Sequence, residues 1–205
     1  MYQPENQLYQ RASLAVLPED MQRQIALQLL TGSPNLQHGL QVLLKLARSN
    51  KQLFNLLTNE PFLDQVKKLI QQRNQQAELN TLFMKYSNLG NVYAVAWLIK
   101  LGAHVDTIDI DGRTALIFAA DRGNTEIIRV LLAAQANTDL VDKRFGWTAL
   151  MRAVIMGQAE TVRVLLDAGA DIRKNDRLGA IILNHARNSG SEEIKQLIQD
   201  AINKL

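Results

Sequence analysis

The chain has 205 residues, 47% of them apolar, with 23 Lys and Arg against 20 Asp and Glu. It contains no cysteine, which excludes disulfides, thiolate metal sites and a cysteine nucleophile. No apolar run has signal-peptide length near the N-terminus, and none approaches the roughly 18 residues of a membrane span. The expectation is therefore a soluble, cytoplasmic protein, with export into a host cell not readable from the residues.

The net charge of +3 is unevenly placed: residues 1–77 hold 8 basic against 5 acidic residues, and the remainder holds 15 against 15. The N-terminal cations, among them Arg11, Arg23, Lys45 and Lys68, are scattered without a block or an interleaved aromatic platform. That distribution predicts neither a nucleic-acid nor a membrane partner.

Residues 1–77 read as a helical domain. Leu17-Pro18-Glu19-Asp20 opens the first helix, Pro18 suiting the first turn and the two acids the positive end of the helix dipole. Met21, Ile25, Leu29 and Leu30 follow on one side, and Thr31-Gly32-Ser33-Pro34 breaks the pattern. Leu40, Leu43, Leu44, Leu46 and Ala47 predict a second helix, Lys51 to Thr58 a third, and Pro61 to Gln72 a fourth. The polar run Gln71 to Gln76 is an exposed helix end or a short linker.

Two readings of this region stand side by side. One is a helical cap that shields the start of the C-terminal part of the chain. The other rests on Leu17-Pro18-Glu19, Ile25, the Leu44 to Phe54 stretch and Glu60-Pro61-Phe62-Leu63, which resemble an F-box. That resemblance implies docking onto a Skp-family adaptor of a cullin ubiquitin ligase through Leu17, Pro18, Ile25, Leu44 and Phe54. Thr31 to Gly39 looks like an insertion relative to that family, and Asn50 replaces its usual Cys or Ser.

The C-terminal part is periodic. Gly90, Gly123, Gly157 and Gly190 are spaced by 33, 34 and 33 residues, and a period of that size marks a stack of supersecondary units that bury apolar faces against their neighbours. One unit runs Asp111-Gly112-Arg113-Thr114-Ala115-Leu116 through Ala119-Ala120 to Gly123, then Ile127, Ile128, Leu131 and Leu132. The next runs Gly146-Trp147-Thr148-Ala149-Leu150 to Gly157, then Val162, Leu165, Leu166 and Gly169-Ala170-Asp171. Each reads as helix, turn, helix, hairpin.

This pattern resembles the ankyrin repeat, over about residues 79–205, with an atypical first copy carrying Tyr86-Ser87 and a last one carrying Ile181 in place of threonine. The resemblance implies an all-α fold. It would be a solenoid of about four helix-turn-helix repeats (79–110, 111–143, 144–176, 177–205) with short β-hairpin tips, as a 78–205 domain after the N-terminal one. The family's histidine position holds Ile117, Met151 and Asn184, and its proline position Leu82, Ala115, Ala149 and Ile182. Gln135 stands where Gly102 and Gly169 stand, at a helix end that calls for positive φ. Trp97 aligns with Val130 and Val164 on the outer helices and is expected in the core.

No catalytic constellation is present. His38, His104 and His185 lie on different elements without metal-ligand spacing, so neither a metal nor a cofactor is expected. The expected activity is non-enzymatic binding of a protein or peptide on the concave ankyrin face. In register, its contacts are Ile108, Ile110 and Arg113 at one tip, Phe118, Asp121 and Arg122 on the next helix, and Lys143, Arg144, Phe145 and Trp147 at the following tip. Arg152, Ile155 and Met156 continue the row, which ends at His185 and Asn188. The 34-residue interval puts one extra residue within Lys143 to Phe145. Phe118, Phe145, Trp147, Ile155 and Met156 flanked by arginines form an apolar patch rimmed by charge, and Trp and Arg often dominate binding energy.

Overall fold

The computed structural model describes residues 19–32, 36–48, 55, 57–72 and 74–204. Eleven helices occur among them: α1 Glu19–Gly32, α2 Leu36–Arg48, α3 Glu60–Gln72, α4 Gln76–Asn88, α5 Val92–Lys100, α6 Ala115–Arg122, α7 Thr125–Ala133, α8 Ala149–Ile155, α9 Ala159–Asp167, α10 Ile182–Asn188 and α11 Glu192–Asn203. The chain divides into two compact units, Met1–Leu79 with Lys100–Gly102 and Asn80–Ile99 with Ala103–Leu205, the first boundary falling inside α4.

In the first unit α1 packs on α2. Their close crossing depends on Gly39, where a Cβ would stand 2.9 Å from the Leu29 carbonyl oxygen and 3.1 Å from the Leu30 Cα. On α3 the buried residues Phe62, Leu63, Val66 and Ile70 recur at helical spacing, as an amphipathic helix requires. The third helix expected at Lys51 to Thr58 lies mostly outside the described residues.

In the second unit α6 pairs with α7, α8 with α9 and α10 with α11. The first helices of successive pairs pack on one another, α6 on α8 and α8 on α10, as do the second ones, α7 on α9 and α9 on α11. Short helices of this kind need both caps and neighbours to persist. Thr114 and Thr148 cap α6 and α8 by accepting from the Ile117 and Met151 amides, each at 3.2 Å. Where proline is missing at Ala115 and Ala149 the helix start keeps this hydroxyl cap, whereas Leu82 lies inside α4 and not at a helix start. Ile181 occupies the same position before α10 and makes no side-chain cap.

The glycine ladder has two causes in the structure. Gly90, Gly123, Gly157 and Gly190 all have φ between 67° and 75°, a region costly for residues with a Cβ. At Gly123 a Cβ would also collide with the Gln158 side chain of the next pair. Gln135 adopts φ 63°, as its alignment with Gly102 and Gly169 predicts. Trp97 is fully buried. Among the described residues there is no strand. Single antiparallel bridges, Ile108 with Thr114 and Asn175 with Ile181, stand where hairpin tips are expected.

Ties between pairs run along the second helices as well. Thr125 and Thr161 hydroxyls lie 3.2 Å apart, Arg129 donates to Glu160 at 2.8 Å, and Arg163 to Glu193 at 2.9 Å. These last two pairs are solvent-exposed and contribute little each.

Candidate partner-binding face

Three turns precede the first helices of the pairs, and each is organised by an aspartate. The Asp109 amide donates to the Arg113 carbonyl and the Asp176 amide to the Ala180 carbonyl, both at 3.0 Å, closing turns of equal length. In the middle turn the Asp142 amide reaches one residue further, to the Trp147 carbonyl at 3.1 Å. The extra residue expected from the 34-residue interval is thus accommodated between Asp142 and Gly146. The Asp142 carboxylate secures it by accepting from the Phe145 amide at 2.6 Å.

Adjacent turns are joined edge to edge. The Lys143 amide donates to the Asp111 carbonyl at 2.8 Å, and the Arg177 amide to the Phe145 carbonyl at 2.9 Å. Glycine permits this approach: a Cβ at Gly112 would sit 2.7 Å from the Lys143 Cγ, and one at Gly146 2.9 Å from the Arg177 Cγ.

Beneath the middle turn lies an aromatic and ionic cluster. Phe145 and Trp147 are stacked, with centroids 4.2 Å apart, and the Arg152 guanidinium sits 4.5 Å from the Trp147 ring. Arg152 donates to Asp142 at 3.0 Å and to Asp121, on the preceding pair, at 3.3 Å. Its Nε–H is buried without an oxygen partner, which places the cost of that donor against the attraction of the guanidinium to the indole. Arg152 stands one position after Met151, which occupies the family's histidine position, and ties its own turn to the preceding pair. His185 is the equivalent residue of the last pair: its Nε2 lies 3.1 Å from the Asp176 carboxylate, and its ring meets Trp147 edge-on at 5.9 Å.

Asp176 is the most heavily bonded carboxylate of this region. Burial pushes its pKa up, but amide bonds from Ala180 and Leu178, the Trp147 indole N–H at 3.3 Å and the nearby His185 outweigh burial, leaving the net value below the ordinary one. The indole bond also links the middle turn to the last.

The expected contact residues separate into two layers. Arg152 and Phe118 are buried, at 9% and 8% exposure, because Arg152 turns inward to its two aspartates and Phe118 lies under the Arg113 guanidinium at 4.4 Å. His185 and Asp121 are engaged by Asp176 and Arg152 in the same way. Arg113 is held by Asp109 and Asp111, both at 3.2 Å, while Arg122 donates to Asn88 at 2.8 Å. Ile155, Phe145 and Trp147 are half-buried. The exposed layer comprises Ile108, Ile110, Arg122, Lys143, Arg144, Met156 and Asn188. His185 is half-buried, edge-on to Trp147 and bonded to Asp176.

Leu178 escaped the sequence reading, yet it is 92% exposed, beside Ile110 at 90% the most exposed large apolar residue of these turns. Its signal was available: Asp176-Arg177-Leu178-Gly179 repeats Asp109-Ile110-Asp111-Gly112, so apolar tip residues recur one position out of step. On the second helices, an open groove of about 510 Å³ lies between α9, the following loop and α11. Its arginines are already paired, Arg163 with Glu193 and Arg173 with Asp171. Among the described residues no group of His, Asp and Glu could hold a metal ion, and no helix is long and apolar enough to cross a membrane.

Of the residues assigned to adaptor docking, Leu17, Pro18 and Phe54 lie outside the described residues, as does the Ile25 side chain. Leu44 is buried, at 8% exposure.

The periodicity, the paired helices and the glycine turns are matched by a family model described as ankyrin repeats (3 copies), over residues 43–144 and 82–176. The two matches span more than half of the chain. The chain belongs to the ankyrin-repeat family. Ankyrin repeats generally mediate protein–protein interaction, as a non-enzymatic module. The match stops at 176, so the last ankyrin pair, with Ile181 for threonine, lies beyond it. No curated protein matches the chain.

Proposed function

We propose that this chain is a protein–protein interaction module whose concave ankyrin face takes a protein or peptide partner without chemistry on it. The observation that carries the reading is where apolar surface is left uncovered. Of the eight large apolar residues exposed among the described residues, five, Ile108, Ile110, Val141, Leu178 and Ile181, belong to the turns that precede the first helices. Exposed apolar side chains rimmed by charge mark interaction surfaces. The inner layer, with Arg152 and Phe118 buried and Asp121 and His185 half-buried, holds the exposed layer in place from below, a preorganisation that limits the entropy lost on binding.

A photo-crosslinking residue placed at Ile108 or Met156 is expected to capture a partner protein that the same residue at Glu126 or Arg129, on the second-helix side, does not. Equal capture from both sides overturns the assignment of the face.

A further inference from the structure

We infer that the crest formed by the three turns docks an acidic, extended segment of the partner that alternates carboxylates with aliphatic side chains. The inference rests on the proposed protein-binding reading and adds the chemistry of what is bound.

The crest is one continuous edge, because the backbone bonds Lys143 to Asp111 and Arg177 to Phe145 join neighbouring turns. Along it, the two signs of charge are not equally available. Asp109 and Asp111 are held by Arg113, Asp142 by Arg152, and Asp176 by the Trp147 indole and His185. Lys143, Arg144 and Arg177 are exposed and, among the described residues, bonded to no carboxylate: the Lys143 amine rests on the Ile110 carbonyl at 3.3 Å and the Arg144 guanidinium over the Phe145 ring at 4.8 Å. Three exposed cations of the crest are thus without a carboxylate partner, against one exposed carboxylate, Asp111, which shares the Arg113 guanidinium with Asp109.

Aliphatic surface is interleaved with those cations. Ile110 lies beside Lys143 and Leu178 beside Arg177, each at least nine-tenths exposed. A partner matched to this edge offers carboxylates to the cations and buries apolar side chains on Ile110 and Leu178. Such complementarity fixes register and speeds encounter. A nucleic acid fits the same charge less well, since stacking of bases needs open aromatic faces and the two aromatic rings of the crest are stacked on each other.

Fluorescence anisotropy of the full chain tests the proposal with four labelled probes: a short peptide alternating leucine and glutamate, an all-glutamate peptide, a leucine–lysine peptide and a single-stranded oligonucleotide. The leucine–glutamate peptide is expected to bind at least about tenfold more tightly than the others, with affinity falling as salt rises. Ile110→Ser with Leu178→Ser should bring its affinity down to that of the all-glutamate peptide, and Lys143→Glu, Arg144→Glu and Arg177→Glu together should abolish binding. These side chains are exposed, so unchanged circular dichroism and melting accompany either result. Tightest binding of the oligonucleotide, equal affinity for the two acidic peptides, or no binding of any probe overturns the acidic-segment inference. The crosslinking comparison decides separately whether a protein binds this face at all.

Discussion

Replacing Arg152 by methionine, which keeps most of the side-chain volume, removes the cation from between Asp142 and Asp121. The Arg152 side chain is 11% exposed and that of Asp142 only 1%, so the carboxylate left behind has almost no access to water. Breaking a buried ion pair from one side costs about 3–5 kcal/mol. The Asp121 arm, with that side chain 24% exposed, adds little by comparison. For a domain of this size the loss corresponds to a melting temperature lower by roughly 6–20 °C. Urea denaturation followed by far-ultraviolet circular dichroism measures it. Adding Asp142→Asn to Arg152→Met should recover part of the loss, because the stranded charge is gone while the amide oxygen still accepts from the Phe145 N–H. A cost for Arg152→Met below about 1 kcal/mol, the range of surface pairs, or no recovery in the double variant, would falsify the view that this ion pair is buried and structural.

Ile181→Thr restores the missing hydroxyl cap of α10 and should stabilise the chain by about 1 kcal/mol; a lower urea midpoint than wild type counts against the cap geometry. Gln135→Gly relieves a side chain held at φ 63° and should gain about 0.5–1 kcal/mol net of the backbone entropy glycine adds, read as a higher melting temperature. Acidification provides the third check. The folded pKa of Asp176 lies below its unfolded value of about 3.9, so its contribution is complete above that pH and disappears as pH falls through the folded value. Asp176→Asn should therefore show a shallower loss of stability than wild type below about pH 4, and parallel acid limbs would refute the assignment.

Much of the repeat architecture was legible because it depends on local rules. Positive-φ glycines, threonine caps and apolar spacing each act within a few residues, and even the exceptional Gln135 conformation followed from alignment with Gly102 and Gly169. The one-residue excess near Lys143 was also readable, since it shifts a count. The inward turn of Arg152 was not. Its partners Asp142 and Asp121 sit 10 and 31 residues away, and only the packing of one pair on the next brings them to a common point. A sequence reading places an inner-helix arginine on the surface by default, as charged residues are seldom buried unless paired. The partners of His185 were hidden for the same reason, a carboxylate on its own turn and an indole from the preceding one. Leu178 was overlooked through strict positional alignment, whereas exposure depends on which tip residue points outward.

The middle turn absorbs its additional residue between two fixed points, the Asp142 carboxylate and Gly146, while α8 begins at the same place in its own frame as α6 does. Length at that turn is consequently uncoupled from helix register. An insertion between Lys143 and Arg144 leaves the Asp142 to Phe145 bond and the Phe145 to Arg177 bond to be reformed by the same atoms. The chain thus carries a graft point at the centre of its crest, where a foreign loop, an epitope or a reporter can be displayed without rewriting the helices that support it.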